Sequence, residues 1–174
     1  MQLTELFANK TLKPKEKTET LSNLLLDKSI TIAELLAFAE NQKDPTKASC
    51  IEALEFESKR NPAIADLDVL SFATQNLKAK APRIKWESAK VIGNIASQFP
   101  NDLNEAIAAL LSNTEHEGTV VRWSAAFALG EILMLKNSKY VDLYASLESI
   151  CEREEKNSIK KIYLNAMMKF FIYF

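Results

Sequence analysis

Catalysis and metal binding depend on His, Cys and carboxylate side chains brought together, and the first two are rare in this chain. It has one His, His116, in the segment NTEHEGT, and two Cys, Cys50 and Cys151. A nucleophilic Ser or Cys needs a base such as His beside it, and a structural zinc needs a cluster of ligands. Spacing alone selects no catalytic pair among the 23 acidic residues. We therefore expect a protein that is not an enzyme, with two reduced thiols and no metal or cofactor.

The composition limits the class of partner. The chain has 174 residues, of which 47% are hydrophobic, so it is long and apolar enough to fold around one core. Its formal charge is −1, from 22 basic and 23 acidic residues. Proteins that bind nucleic acid through phosphate contacts usually carry an excess of Lys and Arg. The balance of charge favours a protein or peptide partner, with nucleic acid left as the alternative.

The sequence has no signal for a membrane or for secretion. No apolar run approaches the roughly 18 residues that a membrane span needs. The first ten residues, MQLTELFANK, lack the apolar core of a secretory signal. We expect a cytoplasmic protein with no membrane partner.

The elements that must position any site are helices. Apolar residues recur at helical spacing along the whole chain, and no segment has the alternation of a strand. Pro14 is placed as the first residue of a helix, and Thr31 with Glu34 predicts a capping box. Asp102 with Glu105 predicts another. Short links that carry Asn, Asp, Pro, Thr or Gly separate the helices, as expected between antiparallel neighbours.

Four segments of the sequence resemble one another. They read TKASCIEAL, IKWESAKVI, VRWSAAFAL and IKKIYLNAM, and begin at Thr46, Ile84, Val121 and Ile159. Their second position is always basic: Lys47, Lys85, Arg122 and Lys160. Their eighth position recurs every 37 or 38 residues: Ala53, Val91, Ala128 and Ala166. A period near 40 with two helices per unit is typical of a helical solenoid.

The segments VRWSAAFALGEI and IKWESAKVIGNI resemble the second helix of HEAT repeats, in particular the short HEAT-like type within the armadillo-type superfamily. That type has a V-R-x-x-A-x-x-A-L-G core, and the resemblance extends over about residues 32–172. Glu55 and Met168 replace the Gly of the motif. Pro82 and Thr119 stand where the family often has an Asp ahead of the basic residue.

The resemblance implies an all-α fold, a right-handed α-α solenoid of about four HEAT-like helix pairs. Residues 1–30 are expected to form an N-terminal helical cap, and residues 31–174 the repeat domain, all within one structural domain. The repeats are placed at about 31–61, 62–99, 100–136 and 137–174.

Each second helix has two different faces when its residues are turned by 100° each. One face of the third repeat is a core stripe of Val121, Ala125, Ala126, Ala128, Leu129 and Ile132. The opposite face carries Trp86, Trp123 and Phe127, which we name the aromatic patch. In HEAT proteins the second helices line the concave surface, so the patch is expected to bind a partner there or to pack between repeats. Gly93 and Gly130 on this face predict close helix contact.

Three basic residues lie near the same face: Lys85, Lys90 and Arg122. Either each bonds to carbonyls or carboxylates of an adjacent turn, or together they add positive potential for an acidic peptide or a phosphate backbone. The run EREEKN at residues 152–157 is interpreted as a solvated helix end.

We predict an interaction scaffold that binds a protein or peptide on its concave face, through the aromatic patch together with Lys85, Lys90 and Arg122. One alternative is a DNA-binding protein, since bacterial alkylpurine DNA glycosylases are HEAT-like and line their groove with aromatic and basic residues. Another is an assembly element that self-associates through its C-terminal end, where FFIYF forms an apolar tail at residues 170–174. The chain is expected to be a monomer or a weak dimer.

Overall fold

The structure is a computed structural model that describes residues 3–172, and this part of the chain contains helices and no strand. The helices are α1 (Leu3–Ala8), α2 (Pro14–Leu26), α3 (Ile32–Glu40), α4 (Asp44–Arg60), α5 (Leu67–Asn76), α6 (Pro82–Ile95), α7 (Asn104–Asn113), α8 (Thr119–Leu133), α9 (Leu143–Arg153) and α10 (Asn157–Ile172). Single 3₁₀ turns lie at Pro62–Ile64, Ala96–Gln98 and Ser138–Tyr140.

The helix starts predicted from sequence at Pro14 and at Thr31 are confirmed, whereas Asp44, expected as the N-cap of α4, is its first helical residue and Lys43 is the N-cap. Pro14 begins α2. The capping box before α3 is present, with the Glu34 backbone N–H donating to Thr31 Oγ1 at 3.1 Å and the Thr31 N–H to a Glu34 carboxylate oxygen at 2.7 Å. The box predicted at Asp102 is wrong, because α7 begins one residue later than that box requires, with Leu103 as its N-cap. Leu103 is fully buried and its N–H donates to Tyr140 Oη at 3.1 Å, which fixes the helix start.

The helices form pairs that repeat along the chain: α3 with α4, α5 with α6, α7 with α8 and α9 with α10. The second helices α4, α6, α8 and α10 pack side by side in chain order, and α2 packs against α4 at the N-terminal end of the row. The Ser22 hydroxyl of α2 donates to a buried Glu57 oxygen of α4 at 2.8 Å. Stacked helix pairs with a continuous row of second helices are the arrangement of an all-α solenoid.

The core stripe predicted on α8 is confirmed. All six of its residues are at most 1% exposed: Val121, Ala125, Ala126, Ala128, Leu129 and Ile132. Short Ala side chains let neighbouring helices approach closely, while the larger apolar side chains fill the space between helix pairs. The stripe fixes which side of α8 is left to face outward.

Both Cys residues are free and buried. Burial raises the pKa of the Cys50 thiol to about 12 and also raises the pKa of Cys151, so neither is a reactive thiolate near neutral pH. Among residues 3–172, no helix has the length and apolar character needed to cross a bilayer.

Candidate partner-binding surface

The aromatic patch lies on the outward side of α6 and α8. Trp123 is 41% exposed. Its indole stacks on the ring of Phe127, one helical turn further along, with ring centroids 6.0 Å apart and planes 14° apart. Trp86 is half-buried on α6, and its indole N–H donates to a Glu87 carboxylate oxygen at 2.8 Å. Each tryptophan of the patch is thus held by a neighbouring side chain, Trp123 by Phe127 and Trp86 by Glu87.

Phe127 contacts the neighbouring helix as well as Trp123. A Cβ built on Gly93 of α6 would lie 2.4 Å from Phe127 Cε1, so the ring occupies the space that any side chain at Gly93 would need. At Gly130 of α8 the corresponding neighbour is Ala166 of α10, at 3.2 Å. The prediction that both glycines permit close helix contact is confirmed. Phe127 therefore links α6 to α8 and at the same time supports the exposed indole.

Lys90 lies on the same outward side of α6, among carboxylates. Its ammonium is 2.8 Å from Glu87 and 3.6 Å from Glu55 of α4, both of which are buried. Burial acts to lower the pKa of Lys90, but the hydrogen bond to Glu87 and the charges of Glu87, Glu55 and Glu52 together outweigh it, and the pKa is raised. The Glu87 carboxylate thus holds both Lys90 and the indole N–H of Trp86.

Lys85 is bonded inside the protein. Its ammonium donates to the Leu77 carbonyl at 3.0 Å and to Asn113 Oδ1 at 2.8 Å. The Asn113 side chain in turn donates to the Leu77 carbonyl at 3.0 Å. Partial burial lowers the pKa of Lys85. This triangle ties the end of α5 and the start of α6 to the end of α7, and so fixes one helix pair against the next.

Arg122 has an even more complete set of internal partners. Its guanidinium donates twice to Glu154, at 2.9 and 3.2 Å, and also to the carbonyls of His116 and Glu117, each at 3.0 Å. The side chain of Glu154 is only 5% exposed. The hydrogen bond to Glu154 raises the pKa of Arg122. The packing interpretation of the basic residues is confirmed for Lys85 and Arg122.

Glu154 was missed by sequence reasoning. The run at residues 152–157 is exposed except at Glu154, which is buried, so its interpretation as a solvated helix end is wrong at that position. Burial acts to raise the pKa of the Glu154 carboxyl, but the bonds from Arg122 and from the Lys156 backbone outweigh it and the pKa is lowered. The only indication in the sequence was that the run at residues 152–157 follows Arg122 by about one repeat. The run holds three Glu residues, so the sequence alone does not select Glu154.

His116 accepts a hydrogen bond from the Gly118 backbone at 2.9 Å and so helps to shape the loop before α8. Within residues 3–172, no three His, Cys, Asp or Glu side chains are grouped to hold a metal ion. Of the sequence-predicted residues, Trp123 and Phe127 are in ring contact, and Trp86 and Lys90 share Glu87 as a partner. Lys85 and Arg122 are each bonded to the ends of neighbouring helix pairs.

An open hollow of about 440 Å³ adjoins the exposed indole of Trp123. Its other lining residues come from the first turns of α8 and α10 and the link before α10: Thr119, Val120, Lys156, Ser158 and Ile159. Val120 is 50% exposed there. The hollow has room for an apolar side chain, with a lysine and two hydroxyl-bearing residues at its rim.

No protein-family model matches the sequence, and no curated protein matches it. Solved structures that are similar in fold include chains of two complexes. One is a chain of the complex of CpcE and CpcF of phycocyanin lyase from Nostoc sp. PCC7120, with a TM-score of 0.68, 17% identity and 94% of each chain covered. The other is a designed armadillo repeat protein in complex with the peptide (KR)4, with a TM-score of 0.76, 14% identity, and 97% of this chain and 80% of the designed chain covered. The chain therefore has the HEAT- and armadillo-like helical repeat fold that its repeats predicted.

Proposed function

We propose that this protein is a non-enzymatic scaffold that binds a protein or peptide partner on the outward side of its second helices. One observation carries the proposal. Trp123 is a large aromatic residue that is 41% exposed, yet its indole is held by Phe127, which is itself fixed against Gly93. Tryptophan dominates the energetics of interfaces, and a side chain already held in place loses little entropy on binding.

The proposal gives different roles to the six predicted site residues. Trp123 and Phe127 provide the apolar centre of the contact, beside the 440 Å³ hollow. Trp86 and Lys90 extend the contact along α6. Lys85 and Arg122 lie at its edge and fix neighbouring helix pairs against one another, since their nitrogen donors are bonded within the protein. The resemblance to HEAT repeats supports placing this surface on the concave side of the solenoid.

The two similar structures support a partner-binding role without identifying the partner. One is a complex of two proteins, and the other is a complex with the peptide (KR)4. One of the two belongs to a lyase, so the absence of enzymatic activity is part of the proposal. A cytoplasmic location is proposed on the sequence alone.

Nucleic-acid binding has less support. A phosphate backbone is recognised by Lys and Arg side chains that are free to contact it. Here Lys90 is paired with Glu87 and Arg122 with Glu154, so the charge of each is offset within the protein. A glycosylase of the HEAT-like type would in addition need an acid beside a flipped base, and two carboxylates on this side of α4 and α6, Glu55 and Glu87, are already paired with Lys90.

A selection from a displayed peptide library tests the proposal. Ligands selected on the wild-type protein should bind Trp123→Ala roughly 30-fold more weakly, which corresponds to the loss of about 2 kcal/mol typical of an interface hot spot. Leu67→Ala is the matched control, because Leu67 is a 62% exposed apolar residue on α5, away from the patch. Both variants should show the circular dichroism and melting temperature of the wild type within a few degrees. Ligands that bind Trp123→Ala as tightly as wild type would refute the proposal.

A further inference from the structure

Three positions of the second helix are buried in three successive repeats. They are positions six, ten and thirteen, counted from the first residue of the aligned segments. In α4 they are Ile51, Glu55 and Ser58, in α6 and the 3₁₀ turn that follows it Ala89, Gly93 and Ala96, and in α8 Ala126, Gly130 and Leu133, and all of them are buried. These positions form the side of each second helix that faces the following repeat.

The same three positions of α10 are exposed and apolar. Leu164 is 53%, Met168 56% and Phe171 59% exposed, and we name these three residues the α10 face. Their spacing of four and then three residues places them on one side of the helix. Single exposed apolar residues are common on protein surfaces, but a continuous row at helical spacing marks an interaction surface.

The earlier repeats show what covers these positions. Gly93 of α6 is covered by Phe127 of α8, and Gly130 of α8 is covered by Ala166 and Ile162 of α10. In each case the cover is the next second helix. A helix that lies along α10 as α10 lies along α8 would therefore cover the α10 face.

The charges beside this face indicate the sign of its partner. The residues of α10 include Lys160, Lys161 and Lys169 and no Asp or Glu, and Lys156 precedes the helix. Lys161 is exposed and Lys160 half-buried beside the α10 face, whereas Lys169 lies further round the helix, where its charge acts on Glu131 of α8. A partner helix with acidic residues along its flanks would complement these charges.

A second copy of the chain is a poor match for the face. The α10 helix of a second copy has no Asp or Glu to complement Lys160 and Lys161. The outward side of α2, at the other end of the row, is polar and carries the exposed ion pair Lys15–Glu19 at 3.7 Å. Neither end of another copy therefore offers the apolar, acid-flanked helix that the α10 face fits.

We infer that the α10 face binds an amphipathic α-helix of another protein, with small and apolar residues along its contact stripe and Asp or Glu beside that stripe. In helix-in-groove recognition the bound helix contributes anchor side chains at helical spacing. Here those side chains would pack against Leu164, Met168 and Phe171. This surface lies at the end of the helix row and is separate from the aromatic patch.

Two synthetic peptides test the inference against the full chain. One has the sequence of residues 157–172, and the other is identical except for Lys160→Glu, Lys161→Glu and Lys169→Glu. Both are constrained as helices by the same side-chain crosslink, and binding is followed by fluorescence anisotropy. The acidic peptide is expected to bind at least about tenfold more tightly than the unmodified one.

The protein variants locate the binding site. Leu164→Ser combined with Met168→Ser should weaken binding of the acidic peptide by about tenfold or more. Leu26→Ser combined with Leu67→Ser removes two exposed apolar residues elsewhere, at 57% and 62% exposure, and should bind like wild type. Equal affinity for the two peptides, no binding of either, or full binding by the first variant would overturn the inference. A wild-type dimer in light scattering that the first variant loses would also overturn it, because a second copy would then occupy the face.

Discussion

Arg122→Met is expected to lower the free energy of unfolding by about 3 kcal/mol, because breaking a buried ion pair leaves the other charge without a partner. The charge left behind is Glu154, whose side chain is 5% exposed and whose two oxygens both accept from Arg122. The carbonyls of His116 and Glu117 lose a donor in the same change. Urea unfolding followed by circular dichroism measures the effect.

The double variant Arg122→Met with Glu154→Leu tests whether the unpaired charge of Glu154 causes the loss of stability. Removing both charges avoids the unpaired carboxylate, so the double variant should recover most of the stability that the single variant loses. Lys80→Met, at an exposed position, is the control for removing a positive charge alone and should change stability by less than about 0.5 kcal/mol. A double variant less stable than Arg122→Met would contradict the explanation.

The same pair predicts an acid-sensitive contribution to stability. The pKa of Glu154 is lowered in the folded protein, so its contribution is present above the pKa of an unfolded Glu and is lost as the pH falls through the lowered value. Wild-type stability should therefore fall more steeply below about pH 4.5 than that of Glu154→Gln, which has no carboxyl to protonate there. Parallel pH profiles for the two proteins would be evidence against the pairing.

Gly93→Val is expected to destabilise the protein by about 2–3 kcal/mol, because overpacking forces neighbouring side chains from their places. Even a Cβ at Gly93 would lie 2.4 Å from Phe127 Cε1, closer than any normal contact. The exposed stack of Trp123 on Phe127 would be displaced as well, so tryptophan fluorescence should change along with stability. Thermal unfolding and emission spectra measure the two effects.

Phe127→Ala tests whether a clash with the Phe127 ring causes the destabilisation by Gly93→Val. In the double variant Gly93→Val with Phe127→Ala, the valine gains the space that the ring leaves, so the two changes should be coupled favourably by about 1–2 kcal/mol. Gly130→Ala is the milder comparison, because its Cβ would meet Ala166 Cβ at 3.2 Å and Ile162 Cγ2 at 4.0 Å, and neither distance is as short as the one at Gly93. Strict additivity of Gly93→Val and Phe127→Ala would mean that the ring does not cause the destabilisation.

The fold was predictable because its signals are local and repeated. The position of each residue within an aligned segment places it on a face of the second helix, and the core stripe from Val121 to Ile132 follows from that position alone. The capping box of Thr31 and Glu34 depends on residues three apart. At Asp102 the same kind of local signal failed, since the burial of Leu103 and its bond to Tyr140, 37 residues away, decide where α7 begins.

The candidate site was predictable in its aromatic residues and not in the partners of its basic ones. Trp86 and Trp123 occupy the same position in two repeats, so the periodicity placed both on the outward side. The partner of Arg122 is Glu154, 32 residues away, and that of Lys85 is Asn113, 28 residues away. No local pattern selects Glu154 from its acidic neighbours, because the choice depends on how one helix pair packs on the next.

Capture of proteins from the host's lysate tests most directly whether the aromatic patch is a binding surface. The baits are the wild type, the variant Trp86→Ala with Trp123→Ala, and the variant Leu164→Ser with Met168→Ser, each confirmed as folded by circular dichroism. The proposed function predicts a partner that wild type and the Leu164 and Met168 variant retain, that the tryptophan variant loses, and that binds purified wild-type protein directly. Retention of every captured protein by the tryptophan variant would contradict the proposed function and would assign both tryptophans to packing.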